Sequence, residues 1–505
     1  MAMELMPISN GVAVSRKKVP HLSFRDFADQ TIQMVSDGGK VVQFFAYPDE
    51  GGKVRLMTVL RKSGDLFAAG CDAPDVYPAL SAEATCFHLF EREIAEQYGI
   101  RPDGHPWLKM VRYHANYRGV TDVFGNDYAE DIPGRYPYYT VSGEGVHEVA
   151  VGPVHAGVIE PGHFRFNCIG ERVLNLEIQL GYQHRGIEPL LTTVDPKRLS
   201  AITENIAGDT TIGHSLCHAQ AMEALMGLVP DDGAQTLRTL SLELERLANH
   251  VGDLGAISGD VAFLPPANYC GRMRGDFLNM TLLICGNRFG KGLVRAGGVR
   301  FSLTEDLRHE LAGRLGELKP QVRHVLSLLM NTPSVRARLE DCGRVSFEDA
   351  DNLGLVGPAG RACGHPYDVR RVFPTAGYTR LDIPEYSEST GDVWARVSVR
   401  CQEVLQSIGI VESLLETAVD TTPVHTLPKI GIAADSLVVT LNEAWRGEAS
   451  HCILTDSAGR LLRYKIKDPS FHNWHGLSMA LRNTGISDFP LNNKSHNLSY
   501  CGFDV

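Results

Sequence analysis

Residues 152–166 read GPVHAGVIEPGHFRF, residues 170–190 read GERVLNLEIQLGYQHRGIEPL, and residues 201–223 read AITENIAGDTTIGHSLCHAQAME. With VHEVAV just upstream, the first two alternate apolar and polar side chains over strand-like lengths. They predict a small antiparallel sheet over 146–180. The third runs into a helical pattern on which His214 and His218 stand four residues apart, so the two share a face. Between sheet and helix lies Arg185-Gly186-Ile187-Glu188. A carboxyl there invites two readings: a proton carrier tuned by a dry setting, or a structural ion pair with Arg185 or another base.

Toward the carboxyl end the pattern is helical. TLSLELERLANHVGDLGAIS places Leu240, Leu244, Leu247 and Val251 at helical spacing, with Glu243, Glu245 and Arg246 read as a polar face. GELKPQVRHVLSLLMN and GDVWARVSVRCQEVLQSIGIVESLLET predict two further helices, and residues 431–470 predict a strand meander. Toward the amino end, KVVQFFAY and KVRLMTVLRK predict a hairpin turning at Asp49-Glu50-Gly51-Gly52. A helix is expected from near Ser81, as its N-cap, to Gly99, with Phe87, Phe90, Ile94 and Tyr98 on one side. Residues 121–145, rich in Gly, Pro, Tyr and Asp, read as a surface linker.

Composition sets the bounds. The 505 residues are enough for two or three domains. A formal net charge of −11 argues against a nucleic-acid surface. The eleven cysteines are scattered singly, with no C-x-x-C, so they read as reduced, buried thiols in a cytosolic setting rather than zinc or iron–sulfur ligands. No apolar run approaches the roughly 18 residues a membrane span needs. GNRFGKGL lacks the hydroxyl residue of a phosphate loop, and GPAGRACG lacks a strand–helix setting for dinucleotides.

The order R-G-x-E, then G-x-x-x-x-x-H from Gly208 to His214, then Asp468-Pro469 resembles the large subunit of nickel–iron hydrogenases and its relative, the large catalytic-arm subunit of respiratory complex I. The hydrogenase pattern carries C-G-x-C-x-x-x-H and D-P-C-x-x-C. Here Ala207 and Thr210 stand at the first cysteine pair, and Ser470 and Asn473 at the second. A methyl, two hydroxyls and an amide cannot replace soft thiolate donors, so the resemblance implies a lost nickel site. The run Phe90-Glu91-Arg92-Glu93, with Gly99-Ile100 and Gly104-His105-Pro106, resembles the 30-kDa-type subunit of complex I.

The resemblance implies an α+β fold. A 30-kDa-like domain over 1–120 and a linker over 121–145 precede a mainly helical large-subunit domain with small antiparallel sheets over 146–505. It implies proton handling by Glu188, Asp209 and His214. His155, His163, Ser470 and Asn473 would line a substrate cavity, and His184 and Arg185 would lie near an iron–sulfur cluster of a partner. Arg361, Asp368 and Arg370 would brace the old cavity. The positions of the complex I quinone-binding histidine and tyrosine fall on Ile159 and near Pro196, leaving His155 and His163 as substitutes. The implied cofactor belongs to a small iron–sulfur partner, none to this chain. A ferredoxin-like subunit and membrane ion-pumping subunits complete the assembly, which places this chain peripherally on the inner face of the cytoplasmic membrane. The implied role is electron transfer to an unknown acceptor, a quinone-like molecule among the candidates; the alternative is a non-catalytic scaffold between electron and membrane arms.

Overall fold

The computed structural model describes residues 4–125, 136–157, 159–417, 421–426 and 430–505. Part of the expected linker, 126–135, lies outside the described residues; 136–145 carries no regular helix or strand.

The fold mixes helices with small antiparallel sheets. In the amino-terminal part, strands Lys40–Pro48 and Val54–Lys62 form the expected hairpin, and Asp65–Asp72 and Met6–Ile8 extend it. Asp49 Oδ1 fixes the turn by accepting the backbone N–H groups of Gly51 and Lys53, both at 2.9 Å. The helix expected from Ser81 begins instead at His88 and runs to Tyr98. Residues 80–87 fold into two tight turns because the Glu91 carboxylate reaches back to the N–H groups of Leu80 (2.7 Å) and Ser81 (3.1 Å) and to the Ser81 hydroxyl. Ser81 thus donates to the helix's first turn rather than capping it. The stop at Gly99 is as expected: its φ of 64° is left-handed, a conformation glycine adopts without strain.

Strands Val146–Val151, His163–Ile169 and Arg172–Gln179 form the antiparallel sheet expected over 146–180. Near the carboxyl end, Ser436–Ala444, Gly447–Thr455 and Leu461–Lys467 form the meander, whose open edge is covered by Val14–Ser15 from the start of the chain. This sheet packs on the amino-terminal one: Phe45, Met57 and Val59 share a core with Leu437, Val439 and Leu441. A second core joins Phe87 and Phe90 to Phe164, Phe471 and Trp474.

Four long helices, Asp232–Asp260, Leu264–Cys285, Glu305–Asn331 and Val393–Thr417, make the helical block. Leu240, Leu244, Leu247 and Val251 are fully buried there, each worth about 2 kcal/mol of apolar burial. The expected polar face is corrected: Glu243 and Arg246 are also fully buried. They persist there because Arg246 donates to the Glu443 and Ala444 carbonyls, while Arg370 and Tyr378 bind Glu243.

Candidate functional site

Glu188 is set by a backbone turn. Gly186, at φ 62°, swings the chain from the sheet into the helix Ile187–Thr193, so Glu188 enters the interior in the helix's first turn. It faces the strand Leu461–Lys467, where alternation puts Arg463, Lys465 and Lys467 on one side. Glu188 Oε2 lies 2.7 Å from Arg463 and Oε1 2.9 Å from Lys465, and the Ile466 N–H donates to Oε1 at 2.9 Å. Glu93, of the Phe90-Glu91-Arg92-Glu93 run, lies 2.7 Å from the same Lys465 and pairs with Arg112. Burial pushes the Glu188 carboxyl up, but Arg463 and Lys465 outweigh it and hold it below the ordinary carboxylate range. The base that pairs with Glu188 is therefore not Arg185. That residue is exposed and donates to the Ile206 carbonyl at 3.0 Å, beside Ala207.

Of the four hydrogenase-pattern positions, Thr210 meets a guanidinium. Arg446, in the tight turn after Ser436–Ala444, reaches both Asp209 carboxylate oxygens at 2.7 Å and the Thr210 hydroxyl at 3.2 Å. It lies over the Trp445 ring, 3.8 Å from the centroid, and Trp445 Nε1 donates to the Asp209 carbonyl at 2.9 Å. Ser470 and Asn473 open the helix Ser470–Ala480. The Ser470 N–H donates to Asp468 at 2.8 Å, and its hydroxyl accepts from Ser499 at 2.9 Å. Asn473 exchanges two bonds with the Val356 backbone, at 3.0 and 3.1 Å. The next residue, Gly357, presses so closely on the Arg446 carbonyl that a Cβ would meet it at 2.1 Å. Burial raises the Asp209 pKa and Arg446 more than reverses this, so Asp209 is held ionised. All eleven cysteines are buried and free. Among the described residues no group of three or more His, Cys, Asp or Glu side chains is arranged to hold a metal ion.

From this cluster a hydrogen-bonded chain runs inward. His214 Nε2 is 3.0 Å from Asp468 Oδ2, and its Nδ1 is 3.1 Å from His451 Nε2. His451 Nδ1 is 2.9 Å from the Tyr464 hydroxyl, which is 3.0 Å from His218 Nδ1. Burial pushes His218 down to about 4 and holds His451 well below its usual value, so both are neutral near pH 7. The Asp468 carboxyl is raised by burial but lowered overall by His214 and Arg446, hence ionised. One proton arrangement satisfies every link: His218 donates to Tyr464, Tyr464 to His451, His451 to His214, and His214 to Asp468. Such a chain can pass a proton by flipping all its bonds in turn.

The other expected site residues lie apart. His155 Nε2 donates to the Gly162 carbonyl at 2.9 Å, and His163 Nδ1 to the Gly152 carbonyl at 3.1 Å. His163 Nε2 is buried without a partner. His184 stacks on His114, with centroids 4.9 Å apart, and is pushed down to about 3 by burial, His114 and Arg112. Arg361 pairs with Glu403 and Glu443, both at 2.8 Å, and Arg370 with Asp368 at 2.7 Å, in a buried network between the helical block and the meander.

Sequence reasoning missed Arg446, Asp468, His451, Tyr464, Arg463 and Lys465 as site residues. For the last two a signal existed. Arg463, Lys465 and Lys467 occupy one face of a strand whose other face is Tyr464 and Ile466. Three buried cations on one side require carboxylates opposite.

Comparison with known proteins gives the relatives of this chain. The family model for the 49-kDa subunit of respiratory-chain NADH dehydrogenase matches residues 260–435. The carbon monoxide-induced hydrogenase of Rhodospirillum rubrum is 33% identical over 346 residues, covering 68% of this chain and 95% of that protein. Formate hydrogenlyase subunit 5 of Escherichia coli is 27% identical over 428 residues, 82% of this chain and 74% of that one. NADH-quinone oxidoreductase subunit 4 of Thermus thermophilus is 29% identical over 363 residues, 67% of this chain and 89% of that one.

Proposed function

This chain belongs to the superfamily that joins the 49-kDa subunit of respiratory-chain NADH dehydrogenase to the large subunits of nickel–iron hydrogenases, and on that premise we propose that it is the large subunit of a complex I-related electron-transfer complex with no nickel site of its own. One observation carries the reading. Of the four positions that would hold nickel, Thr210 accepts from Arg446, Ser470 is bonded to Asp468 and Ser499, Asn473 is spent on the Val356 backbone, and the fourth is the methyl of Ala207. A thiolate-bound metal does not fit this set: none of the four is a soft donor, and a fixed cation already lies against Thr210. The chain's own contribution is then to position partners and move protons. The relay from His218 to Asp468 supplies the proton route, and Asp209 and Asp468 stay anionic at its end. Glu188 acts as the anionic centre of a buried ion cluster.

The partners are those of the family: a small iron–sulfur subunit against the His184–Arg185 side, a ferredoxin-like subunit, and membrane ion-pumping subunits. No helix among the described residues is long and apolar enough to cross a membrane, which supports a peripheral place on such an assembly. The amino-terminal sheet with its Phe90-Glu91-Arg92-Glu93 helix supplies a 30-kDa-like part. The acceptor of the electrons is a small molecule, quinone-like in the reading that His163 Nε2 supports. Burial supports a second reading, a scaffold that transmits motion between the arms: Glu188 is 0% exposed and held by Arg463 and Lys465. The test is metal analysis of the purified intact complex together with its turnover. Iron without stoichiometric nickel is expected, and one nickel per copy of this chain overturns the proposal. Electron flow through the complex separates the redox subunit from the scaffold.

A further inference from the structure

A cavity of about 270 Å³ lies between the helix His88–Tyr98, the strand Arg172–Gln179 and the helix Ser470–Ala480. None of Glu188, Asp209, His214 or Arg446 is in its wall. Its size is near the lower end for small-molecule sites and equals the room of about nine waters. The lining is mostly apolar and includes two indoles, Trp107 and Trp474.

Four polar atoms of the lining side chains are buried with no hydrogen-bond partner: Tyr113 Oη, Asn175 Nδ2, Gln179 Nε2 and His475 Nδ1. Tyr113 is itself only 1% exposed. Unpartnered buried polar groups are few in a folded protein, and four in the lining of one cavity require an explanation. The Asn175 amide nitrogen can only donate, and the Tyr113 hydroxyl can donate, so both call for an oxygen acceptor. His475 stands edge-on to His88, ring centroids 4.2 Å apart. Burial, Arg92 and Arg482 push it down to about 3, so it is a neutral ring. The buried charges of the lining are already answered, and Arg482, its other cation, is exposed to solvent. Arg92 donates to the carbonyls of Lys109 and Met110, both at 2.8 Å, and Glu177 pairs with Lys109 at 2.6 Å. No buried charge among the described lining residues is left to call for a charged ligand.

We propose that this cavity binds an uncharged aromatic molecule of one or two rings bearing hydroxyl or carbonyl oxygen, its ring on the Trp107 and Trp474 indoles and its oxygen on Asn175 and Tyr113. The site stands independently of the electron-transfer reading, because it shares no residue with the Arg446 cluster or the relay. 1-Naphthol is the probe, titrated into the full-length protein by calorimetry and by indole fluorescence; two of the four tryptophans line the cavity. Saturable one-to-one binding is expected, with quenching. Asn175→Leu removes a donor that has no internal partner, so it leaves the melting temperature unchanged and weakens binding roughly tenfold. Ser478→Trp, which fills the cavity from the Ser470–Ala480 helix, abolishes binding; if that variant fails to fold, Asn175→Leu alone carries the test. Naphthalene, lacking the oxygen, binds at least tenfold more weakly than 1-naphthol. Absence of saturable binding overturns the proposal. So does equal affinity in wild type and Asn175→Leu, or equal affinity for naphthalene and 1-naphthol.

Discussion

Replacing Glu188 with Gln tests whether this residue is a structural anion or a proton carrier. In the folded chain it receives Arg463 at 2.7 Å, Lys465 at 2.9 Å and the Ile466 N–H at 2.9 Å, with no solvent access. Gln keeps the volume and one carbonyl oxygen. That oxygen can satisfy the Ile466 N–H and one cation, while the amide nitrogen faces the other cation, donor against donor. Glu93 alone would then answer Arg112, Arg463 and Lys465. Breaking a buried pair by removing one partner costs about 3–5 kcal/mol, since the remaining charge has no water to turn to. Domains of roughly half this length lose about 2–4 °C per kcal/mol, so a chain this long should lose roughly 3–10 °C. The assay is thermal unfolding of the purified protein, with turnover of the intact complex measured in parallel. Glu188→Gln combined with Arg463→Met recovers more than half of the lost stability, because the orphaned cation goes with its partner. A Glu188→Gln variant that melts within about 1 °C of wild type would refute the ion-cluster reasoning; lost turnover at unchanged stability would make Glu188 a proton carrier instead.

Two further outcomes are expected. Stability falls steeply as pH drops from about 4.5 to about 2: buried Glu93 and Glu448 are pushed up by burial but pulled down to about 2 by Lys465 with Arg112 and by Lys467 with Arg61. Such depressed groups stabilise the fold above their unfolded value near 4.5 and lose that contribution as the pH falls through the folded one; a melting temperature flat over that window would contradict the assignment. Tyr464→Phe removes the hydroxyl that links His451 and His218 at 2.9 and 3.0 Å. It leaves two buried imidazole nitrogens unpartnered, at about 1–3 kcal/mol of stability. Proton-coupled turnover should fall by roughly tenfold or more, with an altered solvent isotope effect, if the relay conducts; wild-type turnover in both water and deuterium oxide would remove the relay from the proton path.

Much of the fold was legible because periodicity is local. The 40–62 hairpin, the helices over Asp232–Asp260, Glu305–Asn331 and Val393–Thr417, and the carboxyl-terminal meander all follow from the spacing of apolar residues. The start of the His88–Tyr98 helix was not legible. It depends on where the Glu91 carboxylate folds back, and Ser81 offers the same hydroxyl whether it caps a helix or donates to one. The burial of Glu243 and Arg246 was hidden for a related reason: a charged side chain shows its type in the sequence, but not the partner that lets it leave water.

By itself the sequence determined the family frame and the missing thiolates, because those are facts of residue type at fixed spacing. It could not say what stands in their place. Arg446 meets Asp209 across 237 positions and His214 meets Asp468 across 254. Pairs so far apart in the chain leave no periodic mark on it, and the packing of the Ser436–Ala444 and Gly447–Thr455 strands against the Thr211–Met226 helix brings them within bonding distance. Buried charge is tolerated only where an opposite charge arrives from elsewhere, and that arrival is a property of the tertiary structure.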